Sequence, residues 1–404
     1  MKCRVLVGVL VLGGVATLIS CGSSSKKDVN PGVTGTGFIF VATQGDQLLS
    51  PFKIDRSTGK TTTNGAGVAT GTLPSAAIMT PDQNSIFVAN HDSGDISRYT
   101  IKADGTLTAL TPTVPSGGTN PVAMAMDAAG KFLFVLNQGP FGPNAGSVAV
   151  FSIGQSAALT AAGTTTGLDN PSALAVTPDG KFLYISDFSA STLLGYAVDA
   201  NGALTLLPGF APNGVPGGIA ISNAITPMGM VVTPDDPKSP SANPIFLYVA
   251  NANAGSGNIS VYEVCDKPSL NCANKQAGEL GEITGSPFPA NGEPGSMVIV
   301  TPAVVTPPAG TFLYVADHKL NRVLQYTIAP VSGSLTAMSP PALSTGASPV
   351  WVSARHDGQY VFTANQGASS LSAFVFTDPT KGALTNAGTA SIPTGADPSI
   401  LLVK

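Results

Sequence analysis

The chain has 404 residues, 43% of them hydrophobic and only 10% charged, against about 25% charged in an ordinary soluble domain. Nineteen Lys and Arg face 23 Asp and Glu, for a formal net charge of −4 with no basic run; this argues against nucleic-acid binding, and the hydrophobic content against global disorder. With 46 Gly, 33 Pro and few Glu, Lys or Arg to favour helices, the composition predicts an all-β protein of strands and turns with a large core.

In chain order, residues 1–20 read as an export signal. Lys2 and Arg4 form a positive start, and the apolar run 5–18 is short for a membrane span. It ends in Leu18-Ile19-Ser20-Cys21, which resembles the bacterial lipobox, where the Cys sulfur takes a diacylglycerol and becomes the first residue after cleavage. The alternative is an ordinary signal peptide with a chance Cys. By the same resemblance, Gly22 in place of Asp points to the outer membrane. Residues 21–37 then form a lipidated Cys and flexible tether, with 38–404 as the folded domain. The expected setting is the cell envelope, with the membrane contacted through Cys21.

From residue 38 one pattern recurs, an aromatic or aliphatic pair followed by Val-Ala-Asn or a variant. Its last residues are Thr43, Asn90, Asn137, Asp187, Asn251, Asp317 and Asn365. The base period of about 48 residues suits four short strands with turns, the unit of a propeller blade. In each unit a Pro opens an apolar innermost strand, at Pro74, Pro121, Pro171, Pro227, Pro294, Pro349 and Pro398. Turns such as Thr177-Pro178-Asp179-Gly180 follow, then the Tyr-Val-Ala-Asn strand, an alternating third strand such as 146–153, and a short fourth strand such as 199–205. The domain starts with a second strand, 38–42, and ends with an unpaired first strand, 398–403. The fold predicted is therefore an all-β, seven-bladed β-propeller of four-stranded blades, closed by a blade shared between N- and C-termini, which removes the free sheet edge of an open ring.

Cys265 and Cys272 enclose six residues, and an exported chain meets an oxidising compartment, so a local disulfide is expected. No His or further Cys lies near to complete a metal site. No Walker loop, Gly-x-Ser-x-Gly elbow or His-Glu-x-x-His occurs; neither a metal nor a cofactor is expected.

Repeated Tyr-Val-Ala-Asn strands, followed by Gly-x-Val-x-Val and Asp-x-x-x-Gly-x-Leu, resemble the YVTN-type, lactonase-like seven-bladed propellers. That family includes 6-phosphogluconolactonase-type enzymes and exported lipoprotein-like members. The resemblance covers 38–403 and implies a site at the channel mouth, on the face that carries the loops entering the first strands and those joining second to third strands.

Residues preceding the opening prolines form one ring on that face: Leu73, Asn120, Asn170, Thr226, Glu293, Ser348 and Asp397. The loops after the second strands add Asp46, His91, Asp92, Gln138, Asp187, His318, Lys319 and Gln366. Glu293, His318, Asp397 and His91 are the candidate acid/base groups, with Glu293 and His318 on one blade able to open a lactone with water. Asn120, Asn170, Gln138, Asp187 and Gln366 are candidate ligand contacts. The alternative is that the two His are ordinary loop residues and that the Asn or Asp ending each second strand bonds loop amides in all seven blades. His356, in an opposite-face turn, is read as structural. Trp351 is read as core, or as a stacking surface at the channel wall.

A phosphorylated lactone would want Arg or Lys, and this face offers Lys319 and Arg322. The reading favoured on composition is a binding propeller, expected as a monomer, that presents a mouth of Asn, Gln, Ser and Thr, together with loops 137–147 and 208–222, to a small molecule, glycan or envelope protein. The alternative is a lactone hydrolase acting on an exported or uncharged lactone.

Overall fold

The computed structural model describes residues 36–404 except 57–58, 141–143, 212–216, 223–225, 235–243, 267–268, 303–309, 356–358, 379 and 388–390. The export signal, Cys21, the tether up to residue 35, His356 and parts of the loops 137–147 and 208–222 lie outside the described residues. Among the described residues no helix is long and apolar enough to cross a membrane.

Seven antiparallel sheets, each built on four strands, stand in a ring. Blade 1 holds Thr36–Thr43, Leu48–Asp55 and Thr61–Thr63, and takes its innermost strand, Pro398–Val403, from the C-terminus. Blades 2 to 7 open on Pro74–Met79, Pro121–Met126, Pro171–Val176, Pro227–Val232, Pro294–Val300 and Pro349–Ala354. Each innermost strand touches its two neighbours, and the circuit closes from Pro398–Val403 to Pro74–Met79. The all-β seven-bladed propeller expected from the repeat is the fold, and its first strand begins at Thr36, inside the end of the segment read as tether.

The second strands are apolar on both faces because each sheet packs on two others. Ser85–Asn90, Phe132–Asn137 and Tyr360–Asn365 are buried throughout. The Tyr of Tyr-Val-Ala-Asn has a second duty: the hydroxyls of Tyr184 and Tyr248 donate to the carbonyls of Gly278 and Gly333 on the following blade, both at 2.8 Å. Gly333 is required there. Its φ is +70°, and a Cβ would run into the Phe246 ring. The glycine turn between the third and outer strands thus serves blade-to-blade packing as well as chain reversal. Trp351, on the innermost strand of blade 7, packs against the two hydrophobic clusters that flank blade 1.

The outer strands depart from the expected short fourth strand. Blades 2, 3 and 6 carry long ones, Leu107–Pro115, Leu159–Leu168 and Leu335–Ser344. In blades 1, 4, 5 and 7 two short segments share the third strand, as Thr61–Thr63 and Val68–Ala69 do on Leu48–Asp55. Rim strands are covered on one side only, so their polar sequences carry little periodic signal.

Every innermost strand breaks register just after its opening Pro. Such a bulge re-aims the extra residue. In three blades that residue is a Ser, and Ser75, Ser172 and Ser399 each donate to the carbonyl of the next blade's opening Pro, at 2.6, 2.8 and 3.0 Å.

Cys265 and Cys272 are disulfide-bonded, with Cα atoms 5.5 Å apart. The bridge clips an enlarged turn between the third and outer strands of blade 5. Within it the Gly278 N–H donates to the Cys265 carbonyl at 2.7 Å, and Gly278 receives the Tyr184 hydroxyl of blade 4. The clip therefore shapes one blade-to-blade contact. Replacing both cysteines by Ala should cost about 2–3 kcal/mol, the chain-entropy value for so short a loop; denaturant unfolding checks this, and an unchanged midpoint would count against it.

Candidate active site at the channel mouth

One hydrogen bond recurs in all seven blades. The first residue after each second strand donates its N–H to the carbonyl of the residue preceding the opening Pro. The pairs are Gln44 to Asp397, His91 to Leu73, Gln138 to Asn120, Phe188 to Asn170, Ala252 to Thr226, His318 to Glu293 and Gln366 to Ser348, at 2.9 to 3.1 Å. The channel mouth is thus a ring of seven equivalent residue pairs, one per blade. Of these only the blade 6 pair, Glu293 with His318, joins a carboxylate to an imidazole.

Their side chains meet. His318 Nδ1 lies 4.0 Å from Glu293 Oε2, and Lys319 Nζ 3.6 Å from Glu293 Oε1. All three are partly exposed to solvent at the mouth. Beneath them Asp317, fully buried, ends the second strand and organises the group. Its Oδ1 accepts the N–H of Glu293 at 2.9 Å and that of Leu320 at 3.3 Å. Its Oδ2 accepts Arg322 Nε at 2.7 Å, and the same guanidinium donates to the carbonyls of Ala290 and Asn291 at 2.9 and 3.2 Å. One buried carboxylate and one arginine thereby fix both loops carrying Glu293, His318 and Lys319. Lys319 also reaches blade 5, where its ammonium occupies the space a side chain at Gly255 would need.

The other strand-end residues behave differently from the expectation of amide bonding in every blade. Asp187 matches it, accepting the N–H of Asn170 at 3.0 Å and of Ala190 at 2.6 Å. Asn90, Asn251 and Asn365 instead use Nδ2 to donate to third-strand side chains: Asp95 and Ser97, Asn258 and Ser260, Ser370 and Ser372. Asn137 donates to the carbonyls of Ser116 and Val135. An amide brings a donor where a carboxylate brings acceptors, and the chain uses each accordingly. The ring residue follows suit. Leu73, Asn120, Thr226, Ser348 and Asp397 have left-handed φ between 53 and 60°, whereas Asn170 and Glu293, whose N–H groups an Asp accepts, do not.

The remaining candidates are spread around the mouth. Asp397 is exposed on blade 1, and His91 sits on blade 2 with its Nδ1 2.6 Å from Asp92 Oδ1; neither is brought to the blade 6 group. Gln138 Nε2 donates to Asn170 Oδ1, and Asn170 Nδ2 to Ser189 Oγ at 2.9 Å. Asn120 Nδ2 donates to the Gly139 carbonyl at 3.3 Å. Gln366 Nε2 donates to Gln44 Oε1 at 3.2 Å, and Gln44 Nε2 to the Pro74 carbonyl at 3.1 Å. Gln44 and Phe188 occupy the same ring position as the two His and were not singled out from sequence; the constant offset from each strand end is the signal that finds them. No cluster of three or more His, Cys, Asp or Glu able to hold a metal occurs among the described residues.

Comparison with known proteins agrees with this architecture. The chain resembles a periplasmic gluconolactonase of Pseudomonas aeruginosa with a TM-score of 0.70 at 20% identity, covering 91% of this chain and 99% of that one. It resembles a candidate 6-phosphogluconolactonase of Bacteroides fragilis with a TM-score of 0.68 at 20% identity, covering 91% and 98%, and a Lactobacillus plantarum protein with a TM-score of 0.67 at 17% identity, covering 92% and 100%. At these identities the likeness is one of fold. No curated protein matches the chain. Residues 61–171 and 292–399, together more than half of it, match the family described as "Lactonase, 7-bladed beta-propeller", and the second segment holds Glu293, His318 and Lys319. The chain belongs to the lactonase family of seven-bladed β-propellers.

Proposed function

We propose that the chain hydrolyses uncharged lactones at the blade 6 mouth. The observation that carries this reading is the grouping of Glu293, His318 and Lys319 on loops held by Asp317 and Arg322, in a chain of lactonase family. Glu293 faces Nδ1 of His318, which leaves Nε2 to take a proton from water. The water oxygen bonds to the lactone carbonyl carbon, and the negative charge that develops on the carbonyl oxygen falls to the Lys319 ammonium. On collapse the ring C–O bond breaks, and the departing alkoxide recovers the proton from His318, giving a hydroxy acid. Glu293 stabilises the intermediate imidazolium.

One observation favours an uncharged ring over a phosphorylated one. Arg322 is already committed to Asp317 and two backbone carbonyls, so the group offers Lys319 alone to an anion. Nor does a binding-only role gain support from the mouth amides, since Gln138 with Asn170, and Gln366 with Gln44, are paired with one another. The test is acid release from unphosphorylated δ-lactones, glucono-δ-lactone and δ-dodecalactone among them, and from 6-phosphogluconolactone in a pH-stat. Acceleration of at least one unphosphorylated lactone well above the spontaneous rate, with little on the phosphorylated one, is expected; no acceleration of any lactone would reject the proposal.

The setting we propose is the cell envelope, with the propeller tethered through a lipid on Cys21, on the strength of the charged start, apolar run and Ser20-Cys21 junction. Cys21→Ser should abolish lipid labelling and move the protein from the membrane to the soluble fraction; unchanged partitioning would overturn the anchor.

A further inference from the structure

We propose that the blade 6 site takes lactones bearing an aliphatic chain, and that Phe188, Met228 and Leu320 hold that chain. The inference rests on the hydrolase reading above and names its substrate class.

Among the described residues five large hydrophobic side chains stand exposed. Leu270 and Val331 lie in turns between third and outer strands, on the face away from the mouth. The other three, Phe188 at 36%, Met228 at 49% and Leu320 at 47% exposure, all lie on the mouth face, on the successive blades 4, 5 and 6. Single exposed apolar residues need no explanation; three at the same end of three successive blades, one of them next to Lys319 in the chain, do.

Each is held at the mouth by main-chain geometry. Phe188 is the blade 4 member of the recurring pairs, its N–H on the Asn170 carbonyl at 2.9 Å. Leu320 follows Lys319 directly, its N–H on Asp317 Oδ1. Met228 occupies the innermost-strand bulge of blade 5, the position from which Ser75, Ser172 and Ser399 bond the next blade. A thioether cannot donate that bond, nor can Val122 and Val350 at the same place in blades 3 and 7; of these three apolar side chains Met228 is the exposed one. The seam beside it is shaped for close approach. Gly229 abuts the Gly295 carbonyl of blade 6, while the side-chain position of Gly295 itself opens onto free space. Gly295 is two residues from Glu293. Met228 and Leu320 therefore flank the acid/base group, with Phe188 one blade further along the same arc.

A polyhydroxylated lactone would set its hydroxyls against these three side chains, and elsewhere in the mouth the amides of Gln138 and Asn170, and of Gln366 and Gln44, are paired with one another. An aliphatic chain of several carbons would bury apolar surface along the arc while the ester carbonyl reaches His318 and Lys319.

The test compares δ-hexalactone with δ-dodecalactone, which share the ring and differ in chain length. The wild-type protein should show kcat/KM at least tenfold higher for the longer lactone. In Met228→Ser and Leu320→Ser that ratio should fall towards one, with most of the change in KM. Hydrolysis of glucono-δ-lactone without any chain-length preference would overturn this inference and leave the hydrolase reading standing. Were no lactone hydrolysed at all, the hydrolase reading would fail, and binding would decide this one: calorimetric titration of His318→Ala with both lactones should show tighter binding of the longer, and equal or undetectable binding overturns it.

Discussion

Deleting residues 398–404 should abolish a stable ring. The strand Pro398–Val403 supplies the innermost position of blade 1, paired with Thr36–Thr43 from Ile39 opposite Val403 to Thr43 opposite Pro398. Ile400 and Leu401 are almost fully buried, in the two clusters on either side of blade 1, and each is worth about 1.5–3 kcal/mol of burial. The ends are also pinned beyond the sheet. The Phe38 and Lys404 backbones exchange two hydrogen bonds, the Arg355 guanidinium donates to the Lys404 carbonyl, and Lys404 Nζ donates to the Gln83 carbonyl. Loss of the strand removes these, the Ser399 link to Pro74 and the cover over the blade 1 edge at once. Against a net stability of about 5–15 kcal/mol, the truncated chain should melt at least 15 °C lower or be recovered only as aggregate. The point variant Leu401→Ala gives a graded check, with an expected loss of about 2–5 kcal/mol. A truncated protein that melts with the wild type would show that the ring does not depend on its shared blade.

Most of this architecture is legible in the sequence because it is periodic. Seven opening prolines mark seven innermost strands, and each begins where the structure begins it. The orphan first strand at the C-terminus and the orphan second strand at the N-terminus imply the shared blade without reference to any contact. Where periodicity fades, so does legibility. The outer strands lie at the rim and are split in four blades, and nothing in segments such as Thr61-Thr62-Thr63 announces where pairing stops.

The site was legible as a ring of positions and not as a set of interactions. Spacing places Glu293 and His318 on the same blade, but equally places His91 beside Leu73 and Asp397 beside Gln44; side-chain approach decides among them, and only blade 6 provides it. The difference between Asp317 and the Asn residues at the same place reads as a conservative exchange along the chain. In the fold it separates a carboxylate that accepts the Glu293 amide and the Arg322 guanidinium from amides that donate to third-strand side chains such as Ser97, Ser260 and Ser372. Met228 was hidden for another reason. Its strand reads as an ordinary apolar innermost strand, and the bulge that turns it outward depends on register with the neighbouring strand.

Substituting either member of the blade 6 pair should remove most lactone turnover. His318→Ala takes away the group that accepts the water proton and returns it to the alkoxide, so kcat should fall by roughly a hundredfold or more while KM changes little. Glu293→Gln keeps the shape and leaves the imidazolium without its counter-charge, and should also cost roughly a hundredfold. Because both substitutions disable one proton-transfer unit, the double variant should be scarcely slower than His318→Ala alone. A scaffolding variant separates chemistry from folding. Asp317→Asn leaves Arg322 without its carboxylate partner and exchanges a charged acceptor for a neutral one at the Glu293 amide. It should lower both stability and turnover, whereas the two mouth variants, being partly exposed, should melt close to the wild type. Steady-state rates and thermal melts of all four proteins check this pattern. Full turnover in the double variant would remove the catalytic assignment altogether, and additive losses would mean that Glu293 and His318 act on separate steps.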